Sequence, residues 1–333
     1  MTEALKDSKD AFIQLKQMVD PELAQVNQLL LGMAGAQDTD LIEEISRHIM
    51  SAGGKRIRPV ICLAVAGLFA PEGMNHIYLA AAIECIHTAT LLHDDVIDES
   101  QTRRGLKTAN NIWGDKASIL VGDFLFSQAF KLMVKTESLE SLGLLAHTSA
   151  VISESEVQQL QEIGNIEFGF ELYLKLINAK TAQLFAAAAA VGAMAAGADK
   201  AQVESCFGYG ENLGMCFQIV DDILDYMGDN NSFGKKLGND FYEGKVTAPM
   251  MFAIKNADSA GKKRIYELFA KRDEVESFAA MRQVIIDNGG IRDALLMAEE
   301  YCRTGQSHLK DLPECAMKQG LYDMINFIIK REY

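Results

Sequence analysis

Proline is nearly missing from this chain, and that restricts the possible folds more than any other feature. None occurs between Pro71 and Pro249. Proline terminates helices and marks turns. A long proline-free run rich in Ala, Leu, Met, Glu, Gln and Lys therefore favours long helices. No run of alternating Val, Ile and Thr with Asn-Gly turns competes with that reading. The expected fold class is all-α. Candidate helices are Lys6–Leu31, Asp40–Ala52, Arg58–Phe69, Asn75–Ser100 (broken near its end), Asn110–Lys135, Ser138–Glu162, Glu171–Gly197, Lys200–Met227, Ala248–Asn256, Lys262–Ala270, Asp273–Asn288, Ile291–Leu309 and a last one near Met317–Lys330. Loops are expected at Gly53-Gly54, Gln101–Thr108, Asn165–Gly169 and Gly228–Gly244. No repeat array or compositional break marks a second domain, so residues 1–333 read as one domain.

Composition narrows the class. Of 333 residues, 49% are apolar, enough for a sizeable core. A net charge of −14 argues against nucleic acid as a partner, because phosphate backbones need basic surfaces. The six cysteines show no CxxC spacing and read as buried thiols, not as a disulfide framework. Met1 to Asp20 lacks the apolar segment of a signal peptide. The most apolar stretch, Leu184 to Ala198, is shorter than the roughly 20 residues a bilayer needs and reads as a packed core helix. A cytoplasmic protein with no integral membrane segment is expected.

Two acidic clusters stand inside this helical pattern: Asp94-Asp95-Val96-Ile97-Asp98 and Asp221-Asp222-Ile223-Leu224-Asp225. Each follows apolar sequence, where carboxylates are costly unless compensated. Hard divalent cations would compensate them, and Mg²⁺ takes carboxylate oxygens together with substrate phosphates. Glu84, His87, Leu91, Asp94 and Asp98 fall on one helical stripe. Asp95 lies about 100° round the axis. Gln218, Asp221, Asp222 and Asp225 repeat the arrangement. If the two helices face each other, their carboxylates can clamp metals from both sides. A solvated helix face would serve for one such motif, but surface acids usually alternate with Lys.

Basic segments accompany the acids. Arg103-Arg104-Gly105 follows the first motif and could form salt bridges or grip a diphosphate, for which guanidinium forks are suited. Gly53-Gly54-Lys55-Arg56-Ile57-Arg58-Pro59 sits at a loop-to-helix junction, where backbone N–H groups favour anions. It lacks the spacing of a nucleotide P-loop. Lys235 and Lys245 flank Gly238-Asn239-Asp240 after the second motif. Lys180-Thr181, mid-helix, is weak by itself, because such a lysine often only snorkels.

Read in order, GGKRIRP, DDVID with RRG, KTA, QIVDDILDY and GK-x₂-G-x-D-x₂-EGK resemble the trans-prenyltransferases, or trans-isoprenyl diphosphate synthases. The resemblance spans about residues 40 to 250. IHTATLLHDDVIDES with VGDFLFSQAFKLM is most similar to the bacterial long-chain members that make octaprenyl or decaprenyl diphosphate. Ala248, where the family often has Leu, is a small departure.

The resemblance implies a single-domain bundle of long helices around a central cavity. It implies successive 1′-4 condensation of isopentenyl diphosphate onto an allylic diphosphate, with farnesyl diphosphate as starter. Asp94, Asp95, Asp98, Asp221, Asp222 and Asp225 would hold Mg²⁺. Arg103, Lys180, Thr181, Gln218, Lys235 and Lys245 would contact the allylic diphosphate. Lys55, Arg58, His87 and Arg104 would hold that of isopentenyl diphosphate, with a core histidine as the bland alternative for His87. Ala89 and Thr90, small and five and four positions before Asp94, would leave the passage open for a long product. The family also implies a homodimer, with the apolar face of Asn110–Val134 as candidate interface. Three rival readings are a class I terpene cyclase, which leaves Gly53–Pro59 unexplained, an HD-type phosphohydrolase, which needs further His ligands where few are suitably placed, and a regulatory subunit, which would tend to lose the acidic motifs.

Overall fold

The computed structural model describes residues 3–35, 39–51, 54–228, 237–274 and 276–329. Gly53, Lys235 and the expected helix ends at Ala52 and Lys330 lie outside them. Helices dominate. The one sheet among the described residues is an antiparallel ribbon, β1 (Thr102–Arg103) and β2 (Leu106–Lys107), in the loop after the first acidic motif.

The N-terminal run expected as one helix is divided into α1 (Glu3–Met18) and α2 (Asp20–Gly35). Pro21 explains the break, because proline has no N–H and fits only a helix's first turn. α3 (Asp40–Ser51), α4 (Ile57–Gly67) and α5 (Asn75–Ile97) follow. The expected Asn110–Lys135 helix is also two, α6 (Ala109–Trp113) and α7 (Asp115–Lys135), broken at Gly114 with φ 84°. Ser138 caps α8 (Leu139–Glu162), accepting from the Ser141 N–H at 3.1 Å.

The expected Glu171–Gly197 helix is interrupted. α9 (Phe170–Ile177) passes into a π-helical turn, Asn178–Ala182, before α10 (Gln183–Ala195). Such turns are rare and gather at functional sites. α11 (Lys200–Met227) has the expected boundaries, opened by a reciprocal capping box between Asp199 and Gln202. α12 (Asn239–Tyr242), α13 (Ala248–Asn256), α14 (Ser259–Ala270), α15 (Ser277–Asp287), α16 (Gly290–His308) and α17 (Ala316–Ile329) follow.

One continuous apolar core runs through the bundle. α10 lies at its centre, buried at every position from Leu184 to Ala193. α11 meets it backbone to backbone. A Cβ on Gly210 would stand 2.4 Å from the Phe185 carbonyl oxygen, and one on Gly214 would stand 2.5 Å from Ala182 Cα. Only glycine fits contacts this close. α7 is the described helix long and apolar enough by composition to cross a membrane, with mean hydropathy 1.4. Its Val121, Leu125, Leu132 and Met133 are buried in the protein core, as in a core helix. Five cysteines are buried free thiols, as expected, while Cys315 is exposed.

Candidate active site

Both acidic motifs occupy helix carboxyl ends. Asp94 and Asp95 lie in the last turn of α5, and Asp98 is its C-cap. Asp221, Asp222 and Asp225 lie in the last two turns of α11. Helix C-termini carry partial negative charge, so these carboxylates stand where the backbone opposes them. Cations must offset both.

Protein cations supply part of the compensation. Lys245 Nζ stands 3.4 Å from Asp98 Oδ1 and 2.6 Å from Glu243 Oε2. Burial disfavours the charge on Lys245, yet Asp240, Asp98 and Glu243 together raise its pKa above the usual value. Arg103 donates through Nε and Nη2 to Asp95 Oδ1, at 2.9 and 2.8 Å. The buried Asp95 carboxylate is therefore turned towards the RRG loop. Asp225 accepts the Asn239 and Asp240 N–H groups, both at 3.1 Å, and so caps α12.

A polar chain crosses from the π turn to α11. Thr181 Oγ1 donates to Gln218 Oε1 at 2.7 Å, and Gln218 Nε2 donates to Asp222 Oδ1 at 2.9 Å. The Tyr173 hydroxyl donates to Asp222 Oδ2 at 2.7 Å. Lys180 Nζ is held by Glu156 at 2.9 Å and by Gln159 Oε1 at 3.0 Å, both on α8. Lys180, Thr181, Gln218, Asp222 and Lys245 line a cavity of about 120 Å³. Asp222 of the second motif lines this cavity directly, and Asp98 of the first reaches its edge through Lys245.

A second cluster is basic. Arg58 stacks on Phe185, 4.3 Å from the ring centre, and its Nη1 lies 3.2 Å from His87 Nε2. Burial, then Arg58, Arg103, Arg104 and Arg56, drive the His87 pKa well below its ordinary value. The imidazole is therefore neutral, with Nε2 as acceptor for Arg58. Burial lowers Arg58 to about 10, while Glu84 and Asp221 oppose the fall, so it stays charged at neutral pH. Arg104 holds a positive φ of 53° and packs against Gly54. Arg56, also at positive φ, pairs with buried Glu84 and donates to the Met50 carbonyl at 3.3 Å. Lys55 is exposed, with Nζ 5.8 Å from the Phe327 ring centre. Arg56, Arg58 and Arg104 thus gather with a neutral imidazole around the single buried carboxylate of Glu84, leaving net positive charge suited to an anion.

Ala89 is fully buried in the core, and Thr90, half-buried, donates back to the His87 carbonyl at 2.8 Å.

The donor set fits a hard cation. Burial pushes Asp94 up to about 6, with Glu156 and Asp98 adding to the rise and Lys180 and Arg103 opposing it. Burial also drives Asp222 well above the usual carboxylate range, with Asp240 adding to the rise. Added positive charge would return both to the ionised form. Among the described residues no three His, Cys, Asp or Glu side chains already converge as a cage. Mg²⁺ takes one or two carboxylates together with waters and substrate phosphates.

Sequence reasoning did not identify Tyr173, Glu156 or Gln159, and it set Glu84 on the acidic stripe without giving it a partner. Glu156 and Gln159 carry a faint signal, two polar residues one turn apart on α8.

Comparison with known proteins accords with this geometry. The polyprenyl synthetase family model matches residues 39–285. Octaprenyl diphosphate synthase of Haemophilus influenzae is 37% identical over 320 residues, 96% of this chain and 97% of the relative. The crystal structure of a polyprenyl synthase from Caulobacter crescentus, complexed with calcium and isoprenyl diphosphate, superposes with TM-score 0.92 at 40% identity, covering 96% of this chain and 98% of that one. A decaprenyl diphosphate synthase from Rhodobacter capsulatus superposes with TM-score 0.91 at 40% identity, covering 96% and 100%. Family match, fold and near full-length kinship agree: the chain belongs to the polyprenyl synthetase family and is a prenyltransferase.

Proposed function

We propose that the chain is a long-chain all-trans polyprenyl diphosphate synthase. It extends an allylic starter, farnesyl diphosphate, with isopentenyl diphosphate to give octaprenyl diphosphate for a quinone side chain. The carrying observation is the juxtaposition of two acidic helix ends with a separate basic cluster of Arg58, Arg104 and His87. One pole suits a metal-bound diphosphate and the other a bare one. A cyclase, which has no need of isopentenyl diphosphate, leaves the second pole without a purpose. Kinship at 37% with an octaprenyl synthase supports the product, and the decaprenyl relative keeps that chain length as the second reading.

Asp94, Asp98, Asp221 and Asp222 would hold Mg²⁺, with Asp95 and Asp225 supporting from their present partners. Bound there, Mg²⁺ would neutralise the leaving diphosphate. Lys180, Thr181, Gln218, Arg103 and Lys245 grip the allylic diphosphate, joined by Lys235. The allylic C–O bond then breaks, and its electron pair leaves with the diphosphate. Lys55, Arg58, His87 and Arg104 hold isopentenyl diphosphate, whose double bond attacks the allylic carbon. The proton released leaves with the departed diphosphate. Fixed charges aimed at the leaving group do most of this work, and no side-chain nucleophile is required.

A homodimer is supported by the exposed apolar residues Ile119, Leu120, Phe130 and Val134 on α7, and a single cytoplasmic domain completes the reading. Asp94→Ala and Asp221→Ala should each lower kcat by several orders of magnitude at saturating Mg²⁺. Near wild-type turnover in either variant would remove that motif from the active site.

A further inference from the structure

We infer that Glu211, Asn178 and Gln183 form a clamp that positions Lys180 and Thr181 against the second acidic motif. The inference rests on the proposed assignment of Lys180 and Thr181 to the allylic diphosphate. Asn178 opens the π turn, and Gln183 is the first residue beyond it. Asn178 Nδ2 donates to Glu211 Oε1 at 2.9 Å. Gln183 Nε2 donates to Asn178 Oδ1 at 2.8 Å and reaches Glu211 Oε1 at 3.5 Å. Three half-buried polar side chains thus bracket the turn at both ends. The catalytic roles proposed above use none of them.

The turn needs such support. A π turn is unfavourable beside regular α-helix, and Ala179, Ala182 and their neighbours would be content in an ordinary helix. Relaxing to α would rotate one side of the helix against the other by about 100° for the single residue absorbed. Lys180 and Thr181 would then leave the cavity. Glu211 is well placed to prevent this. It lies between Gly210 and Gly214, where α11 touches the backbone of Phe185 and Ala182. Gln218, seven residues further on, shares its helix face, because two turns of about 3.6 residues separate them. The Glu211–Asn178 and Gln218–Thr181 bonds therefore fix the π turn to α11 at two points along one stripe. The second point delivers Thr181 to the chain ending on Asp222.

The test is steady-state kinetics on full-length variants, with thermal melting to show that each is folded. Glu211→Ala and Asn178→Ala should each raise the KM for the allylic diphosphate at least tenfold, with the KM for isopentenyl diphosphate within twofold of wild type. The double variant should lose little more than either single one, because both break one unit. Glu211→Gln, which keeps an acceptor oxygen for Asn178, should restore most of the affinity. A folded variant with unchanged allylic KM, an equal rise for both substrates, additive losses, or no rescue by Gln would each overturn the clamp. Should Glu211→Ala fail to fold, Asn178→Ala and Glu211→Gln still decide the matter. Lys180→Ala separates the two levels. If it leaves the allylic KM unchanged, the underlying assignment fails. If it raises that KM while Glu211→Ala does not, the clamp alone fails.

Discussion

Removing the hydroxyl of Tyr173 should damage catalysis far more than removing that of Tyr209, although the two are matched in burial and geometry. Tyr173 donates to Asp222 Oδ2 at 2.7 Å, and Tyr209 donates to the Leu321 carbonyl at 2.8 Å. The residues are 3% and 0% exposed. A hydrogen bond to a carbonyl contributes about 1 kcal/mol net, and one to a charged group about 1.5–3 kcal/mol. Deleting the Tyr173 hydroxyl also leaves the buried Asp222 Oδ2 short of a donor, whereas the Leu321 carbonyl keeps its helical role inside α17. Tyr209→Phe should therefore cost roughly 1–2 kcal/mol of stability and Tyr173→Phe roughly 2–3 kcal/mol. Function should separate them further. Asp222 is held by Tyr173 on one oxygen and by Gln218 on the other. Without the hydroxyl it pivots about Gln218 and no longer presents a fixed face to the metal. Loss of groups that orient metal ligands typically costs about 10–100-fold, so kcat for Tyr173→Phe should fall by that factor and half-saturating Mg²⁺ should rise. Tyr209→Phe should stay within twofold on both measures. Denaturant melts with Mg²⁺-titrated label incorporation would measure all four quantities. Equal kinetic losses in the two variants, or unchanged Mg²⁺ dependence in Tyr173→Phe, would refute the reasoning.

Two further outcomes follow from the same geometry. Asp94 is raised from 3.8 to about 6 by burial, so its stabilising contribution is full below the unfolded value and is lost as pH rises through about 6. At about 1.4 kcal/mol per pKa unit, Asp94→Asn should stabilise the metal-free protein by ~3 kcal/mol at pH 8 and by about half that at pH 5. Denaturant melts in EDTA check this, and a gain independent of pH would contradict it. Thr90→Phe should shorten the product to three or four isoprene units, seen by reversed-phase analysis of the dephosphorylated alcohols. Ala89→Phe is a poorer probe, because its site is fully buried and overpacking typically costs about 1–3 kcal/mol. An unchanged product from Thr90→Phe would place the passage elsewhere.

The sequence was legible wherever a signal was local. α11 ran from Lys200 to Met227 as expected because Asp199 and Gln202 mark its start and Gly228 its end. The acidic and basic motifs announced themselves by composition and spacing. Breaks caused by single residues, Pro21 and Gly114, were lost inside longer helical patterns. The π turn was invisible because its alanines suit an ordinary helix equally well. Pairings across the chain were the hardest. Tyr173 and Asp222 stand 49 residues apart, and Lys180 and Glu156 stand 24 apart. No periodicity links such partners.

The central claim is that an acidic, metal-binding pole and a basic pole act together to build a long isoprenoid chain. The most direct measurement is to incubate the wild-type protein with farnesyl diphosphate, radiolabelled isopentenyl diphosphate and Mg²⁺, and to size the lipid products. Mg²⁺-dependent label in an octaprenyl chain, eight isoprene units long, is expected. Cyclised hydrocarbon without label, release of inorganic phosphate alone, or label confined to products of three or four units would contradict it.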